Sequence, residues 1–249
     1  MLTLGFTLYH RIKGMIELDI QILYKSQDFI VCVKPAGVLS ESPGLPDLVC
    51  RQEKTAALYP VHRLDLGTGG LIILAKTPSA CTRLTGFFAG GKVQKSYLAV
   101  VEGAEISDYG TYTDLLYHDR FKNKSYVVKT PRKGVKEASC EWRRIQSLDE
   151  NGKKLHLISI ELHTGRTHQI RVQFASRGMP LFGDQRYGSK NKAPVPALWA
   201  CGLRFPDPSD MEKKHDFFMA PPDADPWRRF SRAFRGCDTD ADVIPGQSD

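Results

Sequence analysis

The sequence contains none of the short cysteine patterns that bind zinc or build disulfide frameworks. Its six cysteines are far apart, and no two of them form a CxxC pair. Zinc ribbons and disulfide-stapled scaffolds need closely spaced cysteines, so this spacing excludes both and favours reduced thiols in a cytoplasmic protein. The cysteines are Cys32, Cys50, Cys81, Cys140, Cys201 and Cys237.

Metal-binding histidine motifs and membrane-spanning segments are missing as well. The closest histidines, His163 and His168, have no acidic residue between them, so there is no HExxH motif. No apolar run approaches the roughly 20 residues of a membrane span. The short apolar run at the N-terminus precedes its charges, which is the reverse of a signal peptide. We therefore expect no metal ion and no membrane association.

The composition is that of a globular protein with a basic bias. Hydrophobic residues make up 41% of the 249 residues, and charged residues make up 25%, which is enough for a full core. The 35 Lys and Arg residues exceed the 28 Asp and Glu residues by 7, which favours a polyanionic partner such as nucleic acid. We expect a poorly ordered leader over residues 1–14, one domain over residues 15–230 and a disordered acidic tail over residues 231–249.

The order of apolar segments and turn residues predicts one compact unit of mixed α+β type. Thr77 is expected to cap a helix that ends before Gly90, and a second helix should follow a turn at Thr164 and Gly165. A shorter helix is expected within residues 40–58. Strands are predicted over residues 22–24, 29–33, 71–75, 96–103 and 155–162.

Three polar clusters stand beside these predicted core elements. The first lies on a loop with Gly67, Gly69 and Gly70, where the backbone must turn sharply or let another group come close. One simple explanation is a structural Arg63–Asp65 pair that caps the turn. A single carboxylate with a tyrosine and an inward arginine also suits covalent chemistry by an aspartate. The clusters are His62/Arg63/Asp65, Lys95/Tyr97 and Arg166/His168/Arg171.

A polar, strongly basic region covers residues 108–142. It is either a solvated β-hairpin or an edge that contacts phosphates. Its cations are Lys122, Lys124, Lys129, Arg132, Lys133 and Lys136.

The order and wording of the three clusters resemble the RluA-type pseudouridine synthases. That family carries HRLDxxTSG, then KxYxAxVxG, then TGRxHQIRxH…GxPxxGDxxYG. This chain has "HRLDLGTGG", "KSYLAVVEG" and "TGRTHQIRVQFASRGMPLFGDQRYG" at residues 62–70, 95–103 and 164–188. The segments "VKPAGV" and "ALWACGLRF" also look like the family's KPxG and LHAxxLxF elements. The resemblance spans residues 20–222.

The resemblance implies a pseudouridine synthase fold, with a mixed, mainly antiparallel sheet, a central catalytic cleft and flanking helices and loops. It also implies isomerisation of a uridine in RNA without a cofactor or metal. Asp65 matches the catalytic aspartate, which attacks the flipped uridine at the base or at the sugar carbon. Arg171 matches the arginine that pairs with it and keeps it ionised. Tyr97 matches the tyrosine that stacks under the uracil near the departing proton.

The resemblance further implies RNA contacts around this site. Arg63 matches the residue that holds the flipped nucleotide or its phosphate, and the glycines are expected to let an RNA backbone approach. The predicted partner is a stem-loop of ribosomal or transfer RNA, bound by a monomer. The expected RNA-binding residues are His62, Arg63, Arg166, His168, Lys122, Lys124, Lys129, Arg132 and Lys133.

Three positions depart from the family pattern. Gly69 replaces a serine, Gln173 replaces a histidine, and Trp199 replaces a histidine. None of the three is a residue assigned to chemistry, so they bear on local hydrogen bonding and target preference. Two other classes of protein are alternatives. One is an RNA-binding protein that keeps the fold without the chemistry. The other is a metal-free hydrolase or glycosidase, which needs a second carboxylate near Asp65.

Overall fold

The computed structural model describes residues 9–12, 15–150 and 152–234. It contains thirteen strands and three α-helices. The strands are β1 (Tyr9–Ile12), β2 (Met15–Leu18), β3 (Ile22–Lys25), β4 (Phe29–Lys34), β5 (Tyr59–Pro60), β6 (Gly69–Ala75), β7 (Gln94–Gly103), β8 (Tyr109–Asp119), β9 (Lys124–Val128), β10 (Val135–Glu150), β11 (Lys153–Leu162), β12 (Leu198–Pro206) and β13 (Lys214–Phe218). The helices are α1 (Leu45–Glu53), α2 (Pro78–Ala89) and α3 (Gln169–Ala175), with 3₁₀ segments at Gln185–Tyr187 and Trp227–Phe234.

Eleven strands form one sheet in the order β3-β4-β6-β12-β7-β11-β10-β8-β9, with β13 added to β12 and β5 added to β6. Most neighbours in this sheet run antiparallel, whereas β6 and β12 are parallel. This arrangement confirms the predicted α+β class with a mixed, mainly antiparallel sheet.

The first two predicted strands and the helix after Thr77 are confirmed. The strands predicted over residues 22–24 and 29–33 are β3 and β4, which pair antiparallel as a hairpin. α2 begins at Pro78 after Thr77, whose Oγ1 accepts a hydrogen bond from the Ala80 amide at 3.1 Å. A side-chain oxygen at this position satisfies an amide that has no partner inside the helix. The helix ends at Ala89, just before Gly90.

The region over residues 108–142 is a hairpin followed by a long strand. β8 and β9 pair antiparallel, and β10 pairs with the other side of β8. β10 is not simply solvated, because Cys140 and Trp142 on one of its faces are buried against Phe174 of α3. The other face of the strand remains largely exposed.

Alternation along β7 decides which side chains reach the site. Leu98 and Val100 join one core on one face of the sheet. Tyr97 and Ala99 join a second core on the opposite face, together with Phe174 of α3. Successive strand residues point to opposite faces, so Tyr97 faces the side of the sheet that carries α3.

The predicted domain boundaries at residues 15 and 230 remain predictions. Of the predicted leader, the structure describes Tyr9–Ile12, which pairs with β2. Of the predicted tail, it describes residues 231–234, which belong to the 3₁₀ segment Trp227–Phe234. The remaining residues of both segments lie outside the described ranges. Within those ranges, no helix is long and apolar enough to cross a membrane.

Candidate active site

The Asp65 loop, residues 61–68, is held in place by backbone hydrogen bonds before β6 begins. The Thr68 amide donates to the Asp65 carbonyl at 2.9 Å. The Ser40 hydroxyl accepts from the Leu64 amide and donates to the Leu64 carbonyl, both at 3.0 Å. Because Leu64 and Ser40 are both buried, these bonds are shielded from water and fix the backbone next to Asp65.

A buried lysine ties the other side of this loop. Lys34 is fully buried, and its Nζ donates to the carbonyls of Val38 at 2.7 Å, Pro35 at 3.0 Å and Leu66 at 3.3 Å. The Gly37 amide donates to the same Leu66 carbonyl at 2.7 Å. Burial lowers the pKa of Lys34 to about 8, against the opposing effect of the Asp65 charge.

The glycines that follow Asp65 are required by the protein's own packing. A Cβ at Gly69 would lie 2.5 Å from Cζ3 of Trp199, and a Cβ at Gly70 would lie 2.2 Å from the Ala200 carbonyl oxygen. Gly70 also has a φ of +118°, which L side chains rarely adopt. These contacts arise because β6 and β12 are parallel neighbours with Gly69 opposite Trp199. Packing therefore accounts for Gly69 and Gly70, and the approach of an RNA backbone to this loop remains a prediction.

Asp65 lies beside Arg171, as predicted. Nη1 of Arg171 donates to Oδ2 of Asp65 at 3.2 Å, while Nε and Nη2 donate to the two carboxylate oxygens of Asp184 at 2.6 and 2.9 Å. Burial alone would lower the pKa of Arg171, but the hydrogen bonds and charge of Asp184 and the charge of Asp65 raise it. One guanidinium thus joins two carboxylates, and Asp184 orients it.

The start of α3 brings His168 to the same place. His168 is buried, has a left-handed backbone with φ +55°, and places Nε2 3.8 Å from Oδ2 of Asp65. Its Nδ1 lies 3.0 Å from the hydroxyl of Tyr187. Burial and the nearby Arg171 charge lower the pKa of His168 to about 4 although Asp65 opposes them, so the imidazole is neutral at pH 7.

Tyr97 projects from β7 into the same cleft and is 9% exposed. Burial, followed by the charge of Asp65, raises the pKa of Tyr97. Its side chain is therefore a neutral phenol at pH 7, which can donate a hydrogen bond.

The cleft over these residues has a volume of about 1070 Å³. Both acidic and basic side chains line it, and the cations outnumber the carboxylates. An anionic ligand would therefore be attracted to the cleft. The lining cations are Arg63, Lys95, Arg166, Arg171 and Arg186, and the lining carboxylates are Glu41 and Asp65.

The predicted RNA-binding residues of the first and third clusters all line this cleft. Arg63 is exposed and pairs with Glu41 at 3.3 Å, so the explanation of an Arg63–Asp65 turn pair is wrong. Arg166 donates from Nε to the Glu137 carbonyl at 2.8 Å. It therefore points away from the carboxylates that Arg171 reaches.

His62 contacts the protein rather than open solvent. Its Nε2 accepts a hydrogen bond from the Ile73 amide at 3.1 Å, and its ring stacks on Phe88 with centroids 4.4 Å apart. Burial, with a smaller effect of the Lys95 charge, lowers the pKa of His62 to about 3. A contact between His62 and RNA would have to use a neutral ring.

The five predicted basic residues of the hairpin region lie outside the lining of the cleft, although their neighbour Asn123 is part of it. Arg186 holds the turn near the cleft by donating to the carbonyls of Lys122 and Asn123 at 2.9 and 3.1 Å. Lys124 lies over the ring of Tyr187, and Arg132 lies over the ring of Tyr117. Lys129 and Lys133 are exposed in the loop between β9 and β10.

The third departure from the family pattern, Gln173, lies on the buried face of α3 and is fully buried. Its Nε2 donates to Oδ2 of Asp114 at 2.8 Å, and its Oε1 accepts from the Cys140 thiol at 3.5 Å. Gln173 therefore joins α3 to β8 and β10 and does not line the cleft.

Asp184, Tyr187 and Lys34 contribute to the site but are not among the residues predicted from the sequence. All three belong to segments that match the family pattern, "GDQRYG" and "VKPAGV", so the sequence did mark these segments as related to the site. Their functions depend on specific side-chain contacts in the folded protein, which the motifs alone do not reveal.

Comparison with known proteins shows the family. The family model described as RNA pseudouridylate synthase matches residues 28–176, which is more than half of the chain and includes Asp65, Tyr97 and Arg171. The chain belongs to this family.

Relatives from several bacteria carry related names. The chain is 34% identical over 195 residues to an uncharacterized RNA pseudouridine synthase of Aquifex aeolicus, covering 71% of this chain and 58% of the relative. It is 29% identical over 189 residues to one of Haemophilus influenzae, covering 70% and 76%. It is 33% identical over 188 residues to the ribosomal large subunit pseudouridine synthase D of Xylella fastidiosa, covering 72% and 54%. The chain thus spans a little over half the length of the Aquifex and Xylella relatives.

Two solved human structures share the fold. RNA Pseudouridylate Synthase Domain Containing 1 superposes with a TM-score of 0.72 at 21% identity, covering 83% of this chain and 85% of that chain. RNA Pseudouridylate Synthase Domain Containing 4 superposes with a TM-score of 0.66 at 19% identity, covering 81% and 88%.

Proposed function

We propose that this protein is an RNA pseudouridine synthase, which isomerises a uridine within structured RNA to pseudouridine. Family membership supports the reaction class. The observation that carries the proposal is the position of Asp65, which lies in a basic cleft 3.2 Å from Arg171. The guanidinium lies where it can stabilise a negative charge on the carboxylate, and a carboxylate anion is the form that acts as a nucleophile.

In the proposed reaction, Asp65 attacks a flipped uridine either at C6 of the base or at C1′ of the sugar. The N1–C1′ bond breaks, the uracil turns, and a C5–C1′ bond forms. The hydrogen on C5 leaves as a proton, and N1 of the product carries a proton instead. Atoms and electrons therefore balance without any cofactor, and Asp65 is released unchanged.

Asp184 acts through Arg171 in this scheme. It holds the Nε and Nη2 edge of the guanidinium, which leaves Nη1 directed at Asp65. Asp184 is thus a positioning residue, because it sets where the positive charge meets the nucleophile.

Tyr97 acts at the uracil. As a neutral phenol beside the cleft, it offers an aromatic face for stacking and a hydroxyl for hydrogen bonding. A protonated phenol can assist removal of the C5 proton only if its own proton moves on at the same time. Its proposed role is therefore proton relay rather than permanent base.

A glycosidase is disfavoured by the state of Asp184, the carboxylate that shares Arg171 with Asp65. Asp184 is 1% exposed and accepts hydrogen bonds from two guanidinium nitrogens. A glycosidase acid must reach the leaving oxygen and deliver a proton to it, and Asp184 is committed to Arg171.

The proposed substrate is a stem-loop of ribosomal or transfer RNA. Flipping a base costs a few kcal/mol and costs least where stacking is already weak, so a loop uridine is the favoured target. Relatives named ribosomal large subunit pseudouridine synthase D make large-subunit ribosomal RNA the first substrate to test. A monomeric cytoplasmic enzyme remains the working expectation.

The basic residues outside the cleft are proposed to contact the phosphate backbone. Replacing Lys122, Lys124, Lys129, Arg132 and Lys133 by Gln should flatten the dependence of log Kd on log salt by roughly 0.7–0.9 for each lost phosphate contact. The Michaelis constant should rise, with turnover at saturation unchanged. A salt dependence equal to that of the parent would assign these residues to a solvated surface.

The activity is tested by incubating the purified protein with transcripts of large-subunit ribosomal RNA and of transfer RNAs. Pseudouridine is then quantified by mass spectrometry of the digested nucleosides. The proposal predicts that pseudouridine accumulates in at least one transcript with the wild type and not with Asp65→Asn. RNA binding by the wild type without any pseudouridine would favour the alternative of a binding protein that keeps the fold.

A further inference from the structure

The tip of the β8–β9 hairpin, residues 120–123, presents one aromatic side chain entirely to solvent. Phe121 is 105% exposed, so its ring makes no packing contact with the protein. Single exposed hydrophobic residues are common on protein surfaces. Phe121 differs from such residues in its surroundings and in how rigidly its backbone is held.

The backbone around Phe121 is fixed. Oδ1 of Asp119 accepts hydrogen bonds from the amides of Phe121 and Lys122 at 3.0 and 3.1 Å. Arg186 donates to the carbonyls of Lys122 and Asn123. The ring is therefore presented by an ordered turn, and little backbone entropy would be lost when a ligand binds.

The hairpin tip is also tied to the residues around Asp65. Buried Ser125 donates from its amide to the Tyr187 hydroxyl at 2.8 Å and from Oγ to the Thr167 carbonyl at 2.6 Å. The same Tyr187 hydroxyl lies 3.0 Å from Nδ1 of His168, which faces Asp65. The position of Phe121 relative to the catalytic carboxylate is thus set by a short chain of hydrogen bonds.

Charge around the tip suits a polyanion. Arg120 and Lys122 flank Phe121 and are exposed, and Arg186 lines the cleft beside Asn123. Asp119 is the neighbouring carboxylate, and its Oδ1 is engaged by the turn amides. A flat aromatic ring among cations is the combination that binds single-stranded nucleic acid, since each base has a face that can stack and each phosphate has a charge that can be paired.

We infer that Phe121 is a stacking site for an unpaired RNA base near the uridine that enters the cleft. This inference rests on the proposed function, because it takes RNA as the substrate. The ligand class is an unstacked nucleobase of a loop rather than a base in a duplex. Phe121 would then help to select loops and to position them, without taking part in bond breaking.

The test compares binding of two fluorescein-labelled RNAs by fluorescence anisotropy. One RNA is a hairpin with an unpaired loop, and the other is a blunt duplex of the same stem sequence. Phe121→Ala should raise the Kd for the hairpin about fivefold or more, because base stacking on an aromatic side chain contributes about 1–3 kcal/mol. The Kd for the duplex should not change. Phe121→Trp should bind the hairpin like the wild type, and its indole fluorescence should be quenched by the hairpin.

Tyr109→Ala is the matched control, because Tyr109 is 74% exposed at the other end of β8. It should leave both Kd values unchanged. Equal hairpin affinity of Phe121→Ala and the wild type would overturn the inference, and so would equal weakening of hairpin and duplex binding. The proposed activity is judged separately by pseudouridine formation. If the wild type forms none while Phe121→Ala still loses hairpin affinity, only the proposed activity fails.

Discussion

Gly69 and Trp199 are both departures from the family pattern, and they contact each other. We therefore expect the effects of substituting these two residues to be coupled. A Cβ at position 69 would lie 2.5 Å from Cζ3 and 2.9 Å from Cε3 of Trp199, whereas ordinary contacts are 3.4–4 Å. The ring edge would have to move by 3.4 − 2.5 = 0.9 Å. It is not free to do so, because Trp199 is buried and its Nε1 donates to the Met219 carbonyl at 2.8 Å.

Gly69→Ser should therefore lower the free energy of unfolding by about 1–3 kcal/mol, the usual effect of overpacking a core. Gly69 follows Asp65 by four residues, so the strain should also displace Asp65, the proposed nucleophile. A misplacement of about 1 Å can reduce turnover roughly 100-fold. Trp199→His alone should also destabilise the protein, because it leaves space beside Gly69.

The double variant Gly69→Ser/Trp199→His should be more stable than the sum of the single effects predicts, with an interaction energy of about 0.5–3 kcal/mol. Turnover should recover relative to Gly69→Ser. Unfolding in urea and initial rates of pseudouridine formation measure the two quantities. Gly86→Ser is the control, since a Cβ at Gly86 in α2 would meet nothing within 4 Å, and it should leave stability and turnover unchanged. Additive stability effects in the double variant would refute the reasoning.

Three further predictions follow from buried groups. Tyr97→Phe should reduce turnover roughly 10²–10⁴-fold while RNA affinity stays constant, because only the hydroxyl is lost. An unchanged rate in single-turnover kinetics would show that the hydroxyl takes no part in the reaction and that Tyr97 contributes only its ring. Asp184→Asn should destabilise the protein by about 3–5 kcal/mol, because it breaks a buried ion pair of Arg171. The control Asp216→Asn changes an exposed ion pair and should cost at most about 1 kcal/mol. Similar melting temperatures for the two variants would contradict this prediction. The Lys34 pKa is lowered to about 8, so between pH 8 and about 10.4 the unfolded chain binds more protons than the folded protein. As the pH rises through this window, the free energy of unfolding of the wild type should increase relative to that of Lys34→Met, by up to about 3 kcal/mol. If the free energies of unfolding of the two proteins change with pH in parallel, Lys34 does not have the lowered pKa.

Local rules predicted the elements whose cause lies within a few residues. The cap at Thr77, the hairpin of β3 and β4 and the buried strand β6 follow from turn chemistry and from short apolar runs. The contact between Asp65 and Arg171 also followed from the motif match, although the two residues are 106 positions apart.

Contacts between distant segments were beyond these rules. The glycines after Asp65 were assigned to an approaching RNA, yet Gly69 and Gly70 are required by the parallel pairing of β6 with β12. Parallel pairing joins segments with no local turn signal between them, so the sequence pattern does not reveal it. Asp184 was missed for a different reason, because its role depends on a side-chain contact with Arg171 that the motif does not specify.

The most direct test of the account is position-resolved mapping of pseudouridine in cellular RNA. Four RNA samples are compared: from cells with the gene, from cells in which the gene is deleted, and from the deletion strain complemented with either the wild-type gene or the Asp65→Asn variant. The account predicts at least one uridine in a ribosomal or transfer RNA loop that is pseudouridine only when the wild-type protein is present. An identical pseudouridine map in all four samples, or restoration of the modification by Asp65→Asn, would contradict it.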